Sequence, residues 1–322
     1  MLIIITLVAV LIAGIVVILL WPPDFTSTPD PASDYAEALG KFAEIEAEEN
    51  LLPLAAEGRS RLLVHGTKTR RVFVLLHGLT NAPTQFLPMG RILHDAGANV
   101  VIPRARYAGF ADRMNSLQGR QNGQDLIDQA ACGLDIAAGL GDEVTLVGLS
   151  GSAVAAAWMA QNRAGIESAV LLAPFFGMHG LPVPLADLLS GLLARLPTIL
   201  VWWNSDLREA NPGPPLAYPR FGTVTMADTL RLSRDVRHHL STRPLKVKNL
   251  SIVLSGADTA INNPLAQSLA AAWLEQSPGK VTVFEFPEAQ GVPHDMIDPG
   301  QPDAKIQISY PVILALPGMY IP

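Results

Sequence analysis

No stretch constrains this chain more than VTLVGLSGSAVAAAWMAQ, from Val144 to Gln161. Its apolar start predicts a buried strand over 144–149, and its alanine-rich end predicts a helix over 151–163. A strand that turns at once into a helix brings two backbones together at the turn. Gly148 and Ser152, two residues either side of Ser150, are small enough to allow that approach. The residue at the tip then sits in a strained conformation with its hydroxyl clear of the sheet. The helix start places backbone N–H groups and the positive end of the helix dipole beside that hydroxyl. Ser150 is thereby a candidate nucleophile, against the plainer reading of a serine that caps the helix.

The chain around it alternates. Strand-like runs fall at 61–65, 71–76, 99–102, 144–149, 167–173, 250–255 and 281–286, with helical patterns at 83–96, 123–139, 151–163 and 264–276. This implies an α/β fold with a mainly parallel central sheet and helices on both faces. Only Gly66-Thr67-Lys68-Thr69 separates the first two strands, which predicts an antiparallel hairpin at one edge. The 322 residues, 49% of them hydrophobic, suffice for a large core. The alternation breaks over 177–246, a stretch too long for a simple crossover and containing a helical pattern at 226–240. It reads as a cap inserted over the C-terminal edge of the sheet, where open α/β sheets bind ligands.

The N-terminus reads differently. Residues 2–21, LIIITLVAVLIAGIVVILLW, carry no charge and match the roughly 20 residues that span about 30 Å of bilayer core. With no basic start and no clear cleavage site, 1–21 reads as a transmembrane anchor rather than a signal peptide. The flanking charges lean towards placing the rest of the chain on the non-cytoplasmic side. Residues 22–60 then read as a linker and a short acidic helix at 34–49, and 61–322 as the main domain.

A net charge of −6 without a basic cluster argues against nucleic acid as a partner. Cys132 is the only cysteine, so an internal disulfide is excluded. Metal-ligand spacings, a dinucleotide fingerprint and a P-loop are all missing, so no metal or cofactor is expected. The oligomeric state stays open.

Partners for Ser150 lie at the ends of other strands. His77-Gly78 closes the strand at 71–76, and a tight turn there would aim the Leu79 N–H at the space above Ser150. With the Gly151 N–H it supplies two donors for a developing oxyanion. His65-Gly66 is a second copy of the dipeptide, but it leads into a hairpin turn instead of a loop and helix. His77 itself reads as a support for the loop. Downstream, Asp258 follows the strand at 250–255 and His294 the strand at 281–286. Asp228 and Asp235 are rival acids, but they fall inside the cap, as do His179, His238 and His239. His94 sits near a helix C-terminus, where a cation is favourable.

The order Ser150, Asp258, His294 resembles that of the α/β-hydrolase superfamily, and within it the esterase and lysophospholipase-like branch. The resemblance covers about residues 60–300. Its motifs are His77-Gly78-Leu79-Thr80, Pro103-Arg104, Gly148-Leu149-Ser150-Gly151-Ser152, Gly256-Ala257-Asp258 and His294-Asp295. It implies a triad of Ser150, Asp258 and His294, oxyanion donors at Leu79 and Gly151, and hydrolysis of carboxylic esters. Ser152 stands where the elbow usually closes with glycine. Arg106-Tyr107-Ala108-Gly109 stands where relatives often carry His-Gly, so no substrate preference carries over. Between Leu181 and Trp203 the only charges are Asp187 and Arg195, which suits a lipid-like acyl chain. Leu188, Leu189, Leu192 and Leu193 equally suit a helix packed on the sheet. A small-molecule or lipid ester is the expected substrate. An acyltransferase with the same triad and an inactive membrane-tethered binding protein are the alternatives.

Overall fold

In the computed structural model, which describes residues 6, 14–21, 23–203 and 216–320, apolar runs become strands close to the expected bounds. In chain order the elements are α1 (Tyr35–Asn50), β1 (Arg61–Leu63), β2 (Thr69–Leu76), α2 (Leu87–Asp95), β3 (Asn99–Ile102), α3 (Gly123–Leu140), β4 (Gly141–Leu149), α4 (Gly151–Asn162) and β5 (Ser168–Leu172). The cap follows with α5 (Val183–Leu193), β6 (Leu200–Trp202), β7 (Arg220–Gly222) and α6 (Thr223–His238). The chain then adds β8 (Asn249–Ser255), α7 (Asn263–Gln276), β9 (Val281–Phe286) and α8 (Ile306–Leu314).

Among the described residues seven strands form one sheet in the order β1-β3-β2-β4-β5-β8-β9, with β1 antiparallel and the others parallel. Parallel strands covered on both faces carry continuous apolar runs. Accordingly β5 is buried throughout, as are the C-terminal halves of β2 and β4. The registers Leu76↔Gly148 and Leu149↔Leu172 bring the ends of β2, β4 and β5 level. Their outgoing loops therefore converge on one edge.

The expected hairpin between the first two strands does not form. Instead β1 pairs with β3, Arg61 opposite Ile102 and Leu63 opposite Val100, so that β3 lies between β1 and β2. Asn99 explains the route: its side chain accepts from the His65 N–H at 2.9 Å and donates to the Thr67 carbonyl at 2.9 Å. The connecting turn is thereby tied to the start of β3, whose Val100, Val101 and Ile102 are fully buried.

The acidic helix α1 starts at Asp34, whose side chain accepts from the Glu37 N–H. It ends by delivering Glu49 to a buried pair with Arg104, 2.9 Å between Oε1 and Nε. Glu49 also accepts from the backbone and hydroxyl of Ser60. Breaking a buried pair leaves one charge uncompensated, so Glu49→Ala is expected to cost about 3–5 kcal/mol, read by urea denaturation. The stretch before α1 runs along α3: Gln124 bonds both backbone groups of Thr26, and Asp135 accepts from the Asp30 and Ala32 amides.

The reading of 1–21 as a single-pass membrane anchor is corrected. Among the described residues no helix is long and apolar enough to cross a membrane. Residues 1–5 and 7–13 of that run lie outside the described residues. Its described end, helical at 14–19, lies against the protein's own cap. Arg195 donates to the Ile18 carbonyl at 2.7 Å and Arg234 to the Trp21 carbonyl at 3.1 Å. A Cβ on Gly191 of α5 would lie 2.0 Å from the Leu19 carbonyl oxygen, so only glycine permits this approach. Hydropathy alone registers the apolar side chains here but not the arginines, distant in sequence, that take the carbonyls. The inferred placement of the chain beyond a membrane falls with the anchor.

Candidate active site

The turn from β4 into α4 is the elbow expected from its sequence. Ser150 adopts φ 58° and ψ −119°, a strained conformation for a residue with a side chain. The surrounding backbone holds it there: its N–H donates to the Leu172 carbonyl, and its carbonyl accepts from Phe175. A Cβ on Gly148 would come within 2.6 Å of the Ser152 carbonyl oxygen, and one on Gly151 within 2.5 Å of the Leu79 side chain. Both positions are therefore confined to glycine. Ser152 does more than fit. Its buried hydroxyl donates to the His77 carbonyl at 2.7 Å, tying the elbow to the loop after β2.

That loop is held at several points. The His77 ring donates from Nδ1 to the Gly78 carbonyl at 2.9 Å and accepts at Nε2 from the Ala105 N–H at 3.1 Å. Both bonds need the neutral ring, and burial pushes its pKa down to about 4. His77 thus supports the loop and stays uncharged at neutral pH, with its one ring proton on Nδ1. Gln85, also buried, accepts from the Gly78 N–H at 2.8 Å. Leu79 follows at once, its side chain packed over Gly151.

Two further loops complete the site. Asp258 follows β8, with its N–H bonded to the Ser255 carbonyl and its Oδ1 accepting from Ala260 at 2.8 Å. The Ser255 hydroxyl donates to the Val292 carbonyl at 2.6 Å, joining this loop to the one that carries His294. The hydroxyl of Tyr310 on α8 donates to the Ile297 carbonyl at 2.8 Å and holds that second loop from behind. The three side chains, far apart in sequence, meet. His294 Nδ1 lies 2.6 Å from Asp258 Oδ2, and its Nε2 lies 2.9 Å from Ser150 Oγ. An ionised carboxylate only accepts, so Nδ1 carries the proton and Nε2 is free to accept the serine proton.

Charge favours that arrangement. Burial pulls the His294 imidazole down, but the Asp258 hydrogen bond and charge, with the charge of Asp295, outweigh it and leave His294 above its ordinary value. Burial likewise raises Asp258, and its bonds to His294 and to backbone amides reverse this and hold it below the usual carboxylate range. Burial pushes Asp295 and Asp298 up.

The site opens into a cavity of about 620 Å³, within the usual range for small-molecule sites. The cap supplies one wall, with Val201, Trp202, Trp203, Tyr218, Phe221 and Met226. The polar lining of the cavity includes Thr80, Asn81, Asp295 and Gln301. Asn81, Gln301, Tyr218 and Phe221 carry no signal in the sequence because only the fold brings them to this cavity, whereas Trp202 and Trp203 end the stretch expected to suit an acyl chain. His179 also lines the cavity. The rival acids are engaged elsewhere: Asp228 pairs with Arg231, and Asp235 accepts from Trp158 Nε1 and pairs with Arg243. His239 turns to the Asp235 carbonyl, and His65 and His94 stack on each other with centroids 4.1 Å apart.

The model of a family described as "Alpha/beta hydrolase family" matches residues 73–304, most of the chain. The chain belongs to the alpha/beta hydrolase family. No curated protein matches this hydrolase by sequence. Among solved structures it resembles a monoacylglycerol lipase from Paleococcus ferrophilus, with a TM-score of 0.57 and 16% identity over 74% of this chain and 90% of that one. It also resembles a soluble variant of monoglyceride lipase from Saccharomyces cerevisiae, with a TM-score of 0.59 and 14% identity over 79% and 88% of the two chains. A structure of the metagenome-derived lipolytic enzymes LipS and LipT gives a TM-score of 0.56 at 16% identity, covering 75% of this chain and 94% of that one. At such identities the likeness is one of fold.

Proposed function

We propose that this alpha/beta hydrolase cleaves carboxylic esters through an acyl-enzyme on Ser150. The observation that carries the reading is the continuous relay from Asp258 through His294 to the Ser150 hydroxyl, at 2.6 and 2.9 Å. In the reaction His294 Nε2 takes the serine proton as Oγ attacks the ester carbonyl. Asp258 holds the tautomer and stabilises the imidazolium. The Leu79 and Gly151 amides receive the oxyanion, the second being one of the unpaired donors at the start of α4. His294 then passes its proton to the leaving alcohol. Water, activated by the same imidazole, releases the acid and restores Ser150.

The cavity supports a reading of the substrate class. Val201, Trp202, Trp203, Phe221 and Met226 give it an apolar lining on which an acyl chain can lie, while Thr80, Asn81, Arg113, Asp295 and Gln301 add polar groups. This favours esters with a lipid-like acyl part, in keeping with the lipases among its structural neighbours. A series of p-nitrophenyl esters from acetyl to palmitoyl tests it. We expect kcat/KM to rise by about 0.8 kcal/mol of binding per buried methylene, hence severalfold per added carbon, until the cavity is full. A flat response would remove the lipid-like assignment. Product analysis with a competing alcohol separates hydrolysis from acyl transfer: hydrolysis predicts free acid as the main product.

A further inference from the structure

Thr80 joins two parts of the molecule that the reaction treats separately. It directly follows Leu79, yet the hydrogen bonds it accepts come from the cap. The Tyr218 N–H donates to its carbonyl at 2.7 Å, and the Trp203 indole Nε1 donates to its Oγ1 at 2.9 Å. Those two residues belong to one unit. The Trp203 N–H bonds the Pro219 carbonyl and so extends the β6–β7 pairing, and the Trp203 ring packs on Phe221 with centroids 4.3 Å apart. Tyr218 is anchored in turn, its hydroxyl accepting from the Phe110 N–H and donating to the Tyr107 carbonyl, each at 3.1 Å. Trp203, Tyr218 and Phe221 are also the wall of the cavity. The loop is also tied at His77 through Ser152 and Ala105, at Gly78 through Gln85, across its own turn from the Asn81 N–H to the Gly78 carbonyl, and at Asn81 through Asp298.

We propose that Thr80 latches the cap hairpin to the oxyanion loop, so that an acyl chain seated against Trp203, Tyr218 and Phe221 steadies the Leu79 amide. The proposal rests on the ester-hydrolase reading of Ser150. Trp203 is half-exposed, and water competes for its N–H. A chain lying on the ring excludes that water and holds the latch closed. The binding of a part of the substrate remote from the carbonyl is then spent on ordering a donor that acts on the oxyanion, which raises kcat and not affinity alone. Thr80 is on this account a positioning residue that sets acyl-chain preference.

The test uses alkyl fluorophosphonates with a short and a long chain, together with acetyl and decanoyl esters. Thr80→Val removes the acceptor, Trp203→Phe removes the donor and keeps a ring, and Thr80→Ser retains the hydroxyl. In each of the first two variants the long-to-short ratio of labelling rates and of kcat should fall about tenfold, the scale of one hydrogen bond and its unpaired partner. The double variant should fall no further, because the two changes break one bond. Thr80→Ser should keep the wild-type ratio. Equal losses on long and short substrates, or losses that multiply in the double variant, would overturn the latch. Labelling of the wild type at Ser150 reports the hydrolase reading by itself, and the chain-length ratio across variants reports the latch.

Discussion

Ser150→Ala is expected to lower kcat for ester hydrolysis about 10⁶-fold, with His294→Ala close behind and the double variant no worse than either. The non-additivity follows from the geometry. On the proposed mechanism His294 Nε2 has one task, to take the proton of the hydroxyl 2.9 Å away. Once either group is gone the other has nothing to act upon. What should survive on that mechanism is the polarisation of the carbonyl by the Leu79 and Gly151 amides, which Ser150→Ala leaves in place. The fold should tolerate the change. Alanine at φ 58° carries the same backbone strain as serine, and the bonds that hold the turn run from the backbone of residue 150. Melting temperature should therefore stay within a few degrees of wild type while fluorophosphonate labelling disappears. A Ser150→Ala protein that keeps a substantial part of its turnover would remove the acyl-enzyme from this account.

Local patterns carried much of the architecture. The strands are continuous apolar runs, and a run such as Ser168–Leu172, buried at every position, can hardly be anything but a central strand. That Ser150, Asp258 and His294 would meet was readable for a related reason. Each follows a strand, and parallel strands in one sheet deliver their outgoing loops to a common edge whatever the helices between them do. Pairing was not readable in the same way. The partner of β1 depends on Asn99, some thirty residues on, drawing the connecting turn to itself. The apolar run at the N-terminus misled for the same reason. The placement of its described end turns on Arg195, Arg234 and the bare backbone of Gly191, all more than 150 residues downstream. The contribution of Ser152 was half visible. Its small size was plain, but the hydroxyl's bond to the His77 carbonyl needs the elbow and the oxyanion loop already side by side. Thr80 shows the limit most clearly, since both of its donors lie in the cap.

Asp258→Asn should combine a large loss of turnover with a displaced pH profile, and the two effects separate the roles of the carboxylate. If His294 is the general base, kcat/KM of the wild type should rise as His294 loses its charge. The imidazole stands above its ordinary value of 6.5, so the midpoint of the acid limb should lie above 6.5. Asparagine leaves the burial that pulls the imidazole down and removes the hydrogen bond and charge that lift it. The acid limb of the variant should therefore move to lower pH. Its plateau should drop about 10⁴-fold, because an amide N–H facing Nδ1 favours the tautomer whose Nε2 already carries a proton and cannot accept one from Ser150. Stability gives an independent check of sign. His294 is raised and Asp258 lowered, so the pair stabilises the fold most between the two, below the pH at which the imidazole discharges and above that at which the carboxylate takes a proton. The difference in unfolding free energy between wild type and Asp258→Asn should shrink as pH rises through the acid limb. An acid limb that stays put in the variant would mean that the raising charge belongs to Asp295, next to His294 in the chain, and that Asp258 serves the tautomer alone.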